Sequence, residues 1–184
     1  MGGHEKSSCR IMNNISATYE RIRQISQSRG INRIFFICLG NLCRSPMAEY
    51  LFRAYFKNRK NIIMNVSSAG FLNQRGKHVP EEISLLMKNS GIDISGHRSS
   101  PITPERIIDS DLIIVMEIKQ KDELLRKYPE CASRIFLLSQ LDALNPEERD
   151  IGDPIGQTFS FYQYCFNEIK VLVEELARYI LKLT

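Results

Sequence analysis

Short apolar runs alternate along this chain with longer stretches in which apolar residues recur every three or four positions. Arg33-Ile-Phe-Phe-Ile-Cys38 is a continuous run of the kind buried in the middle of a parallel sheet. Comparable runs lie at about Ile62 to Ser67, at Asp111 to Met116 and at Arg134 to Leu138. Helical periodicity predicts helices between them. One starts at Ser45-Pro46, with Ser45 as N-cap, Glu49 in the first turn and Met47, Leu51, Ala54 and Tyr55 on one stripe. Others run from Pro80 to about Asn89, from about Lys119 to Lys127, and from about Ser160 to Leu181 with Phe166, Ile169, Val173, Leu176 and Ile180 inward. Strand-helix alternation of this kind predicts an α/β fold: a single doubly wound domain with a four-stranded parallel sheet and helices on both faces.

Residues 1 to 30 read as a polar leader, and residues 31 to 184 as the domain. Within the leader, Ile15, Tyr19, Ile22 and Ile25 predict a short helix from Asn14 to Ser28. That stripe suits an extra helix packed on the domain, or a docking or dimerising element. No apolar run is long enough to span a bilayer, and the first residues lack the apolar core of a secretory signal, so a cytoplasmic location is expected. The 25 basic and 21 acidic residues give a net charge of +4 without a basic block, which speaks against a nucleic-acid partner. Cys9, Cys38, Cys43, Cys131 and Cys165 are odd in number and irregular in spacing, a poor disulfide framework that fits a reducing compartment. No Cys-x-x-Cys occurs and the histidines are scattered, so no metal is expected.

The chemistry concentrates after the first strand, in Cys38-Leu39-Gly40-Asn41-Leu42-Cys43-Arg44-Ser45. In doubly wound folds ligands bind at the carboxyl ends of strands. A helix N-terminus there offers unpaired N–H groups and a positive dipole end, which together bind oxyanions. Gly40 permits a tight turn and Asn41 tolerates a left-handed backbone. Arg44 carries a planar fork suited to phosphate. Cys38 opens the cradle, and the field that draws in phosphate also favours a thiolate, the nucleophilic form. Ser45 stands where a hydroxyl can hydrogen-bond that sulfur.

The segment CLGNLCRSPMAE resembles the signature of the low-molecular-weight protein tyrosine phosphatases. The likeness extends from about Arg33 to Leu183 and includes Ser67-Ser-Ala-Gly70, Gly96-His97, Ser110-Asp-Leu-Ile-Ile-Val-Met116 and Asp150-Ile-Gly-Asp-Pro154. It implies hydrolysis of phosphotyrosine through a phosphocysteine intermediate on Cys38, with Arg44 and the backbone of residues 39 to 45 holding the phosphate. It makes Asp153 the general acid, with Asp150 as runner-up; such an acid contributes about 10²–10⁴-fold. It assigns Ser68 and His97 to supporting the loop through Asn41, and Cys43 to a reversible disulfide with Cys38. No cofactor is implied, because loop and arginine supply the charge stabilisation. The partners implied are a phosphorylated protein and, among candidates, a tyrosine kinase. Cys9, Cys131 and Cys165 are expected to be structural or incidental.

The chain departs from the pattern after Asp153-Pro154. Many members carry aromatics there, and this chain has Ile155 and Gly156, leaving Leu39, Leu42, Phe71 or Leu72 to form an apolar rim. A related bacterial branch with similar Asp-Pro-x-Gly and Ser-Ser-Pro segments (compare Ser99-Ser-Pro101) dephosphorylates arginine, and places threonine where Leu42 stands. Leu42 suits an aromatic ring better, so phosphotyrosine is expected first and phosphoarginine second. A thioredoxin-coupled arsenate reductase would need relay cysteines near residues 75 to 100, where there are none. A non-catalytic phosphate-binding or redox-sensing module would be expected to lack one of Cys38, Arg44, Ser45 and Asp153.

Overall fold

The computed structural model describes residues 17–57, 59, 63–142 and 148–184. Residues 17–29 form helix α1. There follow β1 (Arg33–Cys38), α2 (Arg44–Phe56), β2 (Asn65–Gly70), α3 (Glu81–Asn89), α4 (Pro104–Asp109), β3 (Leu112–Val115), α5 (Ile118–Lys127), β4 (Ile135–Leu137) and α6 (Phe159–Leu183). The strands form one four-stranded sheet in the order β2-β1-β3-β4, parallel throughout.

Alternation along the strands sorts the core into two layers. Ile34, Phe36 and Cys38 of β1, with Leu112 and Ile114 of β3, face α2, α6 and α1. Phe35 and Ile37, with Ile113 and Val115, face Ile107 of α4 and Leu124 of α5. Both sheet faces are therefore covered, which explains runs of apolar residues without polar alternation.

Ile22 and Ile25 bury α1 in the first layer. The Tyr19 ring lies 4.3 Å from that of Tyr179 in α6, Arg21 covers the Phe136 ring at 4.5 Å, and Arg29 pairs with Asp111 at 2.9 Å. This helix is thus packed on the sheet layer. Asn14 and Ile15, with the rest of residues 1–16, lie outside the described residues, as does Cys9.

Several expected boundaries shift. The second strand lies at Asn65–Gly70, three residues beyond the expected start at Ile62, which is outside the described residues. Its pairing runs from Arg33↔Asn65 to Cys38↔Gly70. The small residues Ser67 to Gly70 are strand because they pair with β1 and the backbone of residues 39–41 lies close against Gly70, a tertiary demand that overrides apolar patterning. Helix α4 was not anticipated, although Thr103 caps it through Arg106 N and Pro104 follows at the first position. Among the described residues no helix is long and apolar enough to cross a membrane.

Candidate active site

The chain leaves β1 at Cys38 and enters α2 at Arg44, so residues 39–43 must turn within a few ångströms at the carboxyl end of a central strand. Asn41 takes φ 54°, the only positive φ at a non-glycine among the described residues. That strain is held from several sides. Asn41 Nδ2 donates to Ser45 Oγ (3.0 Å) and Ser68 Oγ (2.8 Å), and Asn41 Oδ1 accepts from Ser100 N (2.9 Å). His97 Nε2 lies 3.0 Å from Asn41 O. A carbonyl can only accept, so Nε2 carries the hydrogen. Burial holds the His97 imidazolium below its ordinary range, with the bond to Asn41 opposing.

The loop's carbonyls face outward, with Cys38 O accepting from Phe71 N and Leu39 O from Leu72 N. None of the amides of residues 39–43 donates to a protein acceptor among the described residues. Outward carbonyls and unspent amides make a nest for an oxyanion. Gly70 permits this backbone to lie against β2: a methyl group there would sit 2.8 Å from Asn41 N, Gly40 C and Leu39 O.

Ser45 was expected to cap α2. The cap position is instead Cys43, without a side-chain bond, and Glu49 lies beyond the first turn, paired with Arg53 at 2.8 Å. The Ser45 hydroxyl is turned beneath the loop, 3.1 Å from Cys38 Sγ and 3.3 Å from Ala69 O. Asn41 fills one lone pair of Ser45 Oγ, leaving a single proton that can point to the sulfur or to Ala69 O. With a thiolate it points to sulfur; with a thiol, S–H donates to Ser45 and Ser45 turns to Ala69.

Arg44 is 1% exposed. Its Nη1 donates to Glu117 Oε1 (2.6 Å) and Ile151 O (2.9 Å), and its Nη2 to Asp153 Oδ2 (2.5 Å). Its buried Nε has no protein partner among the described residues, which suits a further acceptor in the nest. Burial disfavours charge on Arg44, but Cys38, Asp153 and Glu117 outweigh it and strengthen the cation. Glu117 is also buried; its bonds to Lys119 and Arg44 overcome desolvation and hold its carboxyl below the usual carboxylate range. Sequence reasoning missed Glu117, although the residue just past an apolar strand in such a fold sits at the ligand edge.

Asp153 and Asp150 separate cleanly. Asp150 Oδ1 accepts from Ile118 N (2.7 Å) and so serves the start of α5. Asp153 instead lines a cleft of about 100 Å³ over the loop, together with Cys38, Leu39, Gly40, Leu42, Cys43, Leu72, Gln74 and Ile155. Phe71, expected on the rim, packs into the opposite core layer with Phe35 and Ile37. Gln74 was not anticipated; its buried Oε1 has no protein partner among the described residues. Burial pushes the Cys43 thiol well up, with Asp153 and Cys38 adding to the effect. Cys165 Sγ donates to Gly152 O at 3.4 Å, and Cys131 accepts from Arg134 Nη2 at 2.9 Å. Among the described residues no cluster of His, Cys, Asp and Glu could hold a metal.

The nest, a sulfur beneath it, a fixed guanidinium and a carboxyl across a small cleft can bind a phosphoryl group and attack it in line. The family model described as low molecular weight phosphotyrosine protein phosphatase matches residues 33–183. A protein-arginine-phosphatase of Geobacillus stearothermophilus is 32% identical over 79% of this chain and 93% of its own length. A probable low molecular weight protein-tyrosine-phosphatase, AmsI of Erwinia amylovora, is 34% identical over 76% of this chain and 91% of its own. The crystal structure of the low molecular weight protein tyrosine phosphatase from T. tengcongensis superposes with a TM-score of 0.71 at 34% identity, covering 79% of this chain and 97% of that one.

Proposed function

Because the chain belongs to the low molecular weight phosphotyrosine protein phosphatases, we propose that it hydrolyses phosphotyrosine in phosphorylated proteins, with Cys38 as nucleophile, Arg44 as phosphate clamp and Asp153 as general acid. The phosphoryl group enters the nest and competes with Asp153 for Arg44 Nη2, while Glu117 keeps Nη1 in place. Cys38 Sγ attacks phosphorus as the bond to the phenolic oxygen breaks, and the Asp153 carboxyl gives its proton to that oxygen. Asp153 then takes a proton from water, whose oxygen attacks phosphorus. The P–S bond breaks, inorganic phosphate leaves, and the Ser45 hydroxyl stabilises the departing thiolate.

One observation carries the choice of substrate: Leu39, Leu42, Leu72 and Ile155 give the cleft apolar walls, which suit an aromatic ring. A second reading, phosphoarginine, is favoured by Gln74, which lines the same cleft as Asp153 and whose side-chain oxygen has no protein partner among the described residues, since a guanidinium needs acceptors. Relatives carry both names. The deciding experiment compares kcat/KM on phosphotyrosine, phosphoarginine and phosphoserine peptides of one sequence. Phosphotyrosine is expected to lead by at least about tenfold, a difference of about 1.4 kcal/mol. A lead for phosphoarginine selects the second reading.

A tyrosine kinase is the natural opposing partner, and a reducing cytoplasm suits the unpaired cysteines. Cys43 adds a protective step. Peroxide converts the Cys38 thiolate to a sulfenic acid, which condenses with the Cys43 thiol to a disulfide and water. Thiol should therefore restore peroxide-treated parent more fully than Cys43→Ala; equal recovery excludes this step.

A further inference from the structure

We infer that Arg106, on α4 outside the catalytic cleft, is a positioning residue that holds the phosphate loop in its binding shape. The inference rests on the reading of residues 38–45 as a phosphate cradle. Asn41 fixes that cradle, and its side-chain amide is held by Ser68 Oγ and Ser100 N. Both of those residues are gripped by one guanidinium. Arg106 Nη2 donates to Ser68 O (2.8 Å) and Nη1 to Ser100 Oγ (3.1 Å). Ser100 Oγ in turn lies 3.4 Å from Ser68 O as donor.

A planar fork can span two acceptors on separate segments, whereas an ammonium supplies one point of contact. The guanidinium also lies 4.3 Å over the Phe35 ring, in the strand that ends at Cys38. The chain of contacts runs from α4 through β2 and the Ser99-Ser100 segment to Asn41, the one non-glycine residue with a positive φ among the described residues. A left-handed asparagine persists only where its surroundings over-determine it. Removing Arg106 loosens two of the three side-chain anchors of Asn41 at once, leaving the one to Ser45, with no change to any group lining the catalytic cleft.

Arg106 also lines an open cleft of about 400 Å³ at the opposite end of the sheet, with Arg33, Asn65, Ser67 and Asp109. A small cation can enter there, which makes the role testable by chemical rescue. Four readouts are taken on parent, Arg106→Ala and Arg106→Lys: kcat/KM on an aryl phosphate, inhibition by inorganic phosphate, the pH dependence of Cys38 alkylation, and thermal stability. Arg106→Ala should lose about 10- to 10²-fold in kcat/KM, as expected for loosened site geometry, and weaken phosphate inhibition in parallel. Millimolar guanidinium should restore much of both, while sodium at equal ionic strength should not. Arg106→Lys should fall between.

Parent-like phosphate inhibition and kcat/KM in folded Arg106→Ala overturns the inference, as does a loss that does not respond to guanidinium. If the alanine variant does not fold, Arg106→Lys decides: parent-like phosphate affinity in it overturns the role. The parent control separates the two layers, since a parent that neither hydrolyses aryl phosphate nor is inhibited by phosphate defeats the cradle itself.

Discussion

The floor and the rim of the cleft are built differently. On the floor, the side chains of Asn41 and Ser45 and Nη1 of Arg44 are all held by protein partners. On the rim, Leu72 and Ile155 are 42% and 46% exposed, and Asp153, the proposed acid, is held by Arg44 Nη2 and Ile155 N. A buried network tolerates little change, because each lost bond leaves a desolvated partner behind. An exposed rim can vary at small cost. The floor therefore fixes what reaction occurs, and the rim tunes which phosphate ester is accepted.

The sharpest break of this contrast is Cys38→Ser, which should lower aryl phosphate hydrolysis by more than about 10³-fold, as for loss of a catalytic nucleophile, with a near-parent melting temperature. Next is Gly70→Ala. Its methyl group meets loop backbone at 2.8 Å, so the loop must move, with a loss of about 10²-fold in kcat/KM and about 1–3 kcal/mol of stability from overpacking. Calorimetry and steady-state kinetics on one preparation test both; parent-like activity would show that the floor yields easily.

Asp153→Ala should act selectively. Esters with poor leaving groups should lose about 10²–10⁴-fold in kcat/KM and those with good ones far less, because only the former need the proton. A uniform loss across a leaving-group series would move the acid elsewhere. Smaller still, Leu72→Ala and Ile155→Ala should raise KM for phosphotyrosine peptides by about three- to tenfold, from about 1 kcal/mol of lost apolar contact. Hydrolysis of a small alkyl phosphate should barely change.

The mildest probe is pH. The His97 imidazolium is disfavoured by burial, so the unfolded chain binds its proton more readily. His97 support is present in full above the ordinary value of 6.5 and is lost as pH falls below it toward the depressed native value. Glu117 has the same sign at lower pH, its stabilisation being lost as pH falls through its depressed native value. Stability should thus decline in an upper step that His97→Gln flattens and a lower step that Glu117→Gln flattens. Denaturant titrations on these variants, from about pH 7.5 down to well below the ordinary Glu117 value of 4.5, would show whether the two steps separate.

The floor was largely legible in the sequence because its chemistry is local: Cys38, Asn41, Arg44 and Ser45 lie within one turn, between a recognisable strand and helix. The parallel sheet followed from the same alternation. Ser45 was read both as a cap, because Ser-Pro before a helix is an ordinary start signal, and as a partner of the Cys38 sulfur; the fold meets only the second, at 3.1 Å. Glu117, Ser100 and Arg106 come from segments 55 or more residues away from the loop, by the numbering of the chain, and no local rule points from one to another. Gln74 and the inward turn of Phe71 depend on the exit of β2, whose start was displaced by three residues.

The most direct test of the central claim is a rapid acid quench of the parent or Asp153→Ala within its first turnover of an aryl phosphate, followed by peptide mapping of the phosphoryl group. The account predicts phosphate bound to Cys38 Sγ, appearing and decaying at rates that match turnover. Phosphate found on another side chain, or turnover without any phosphoenzyme in either protein, would contradict it.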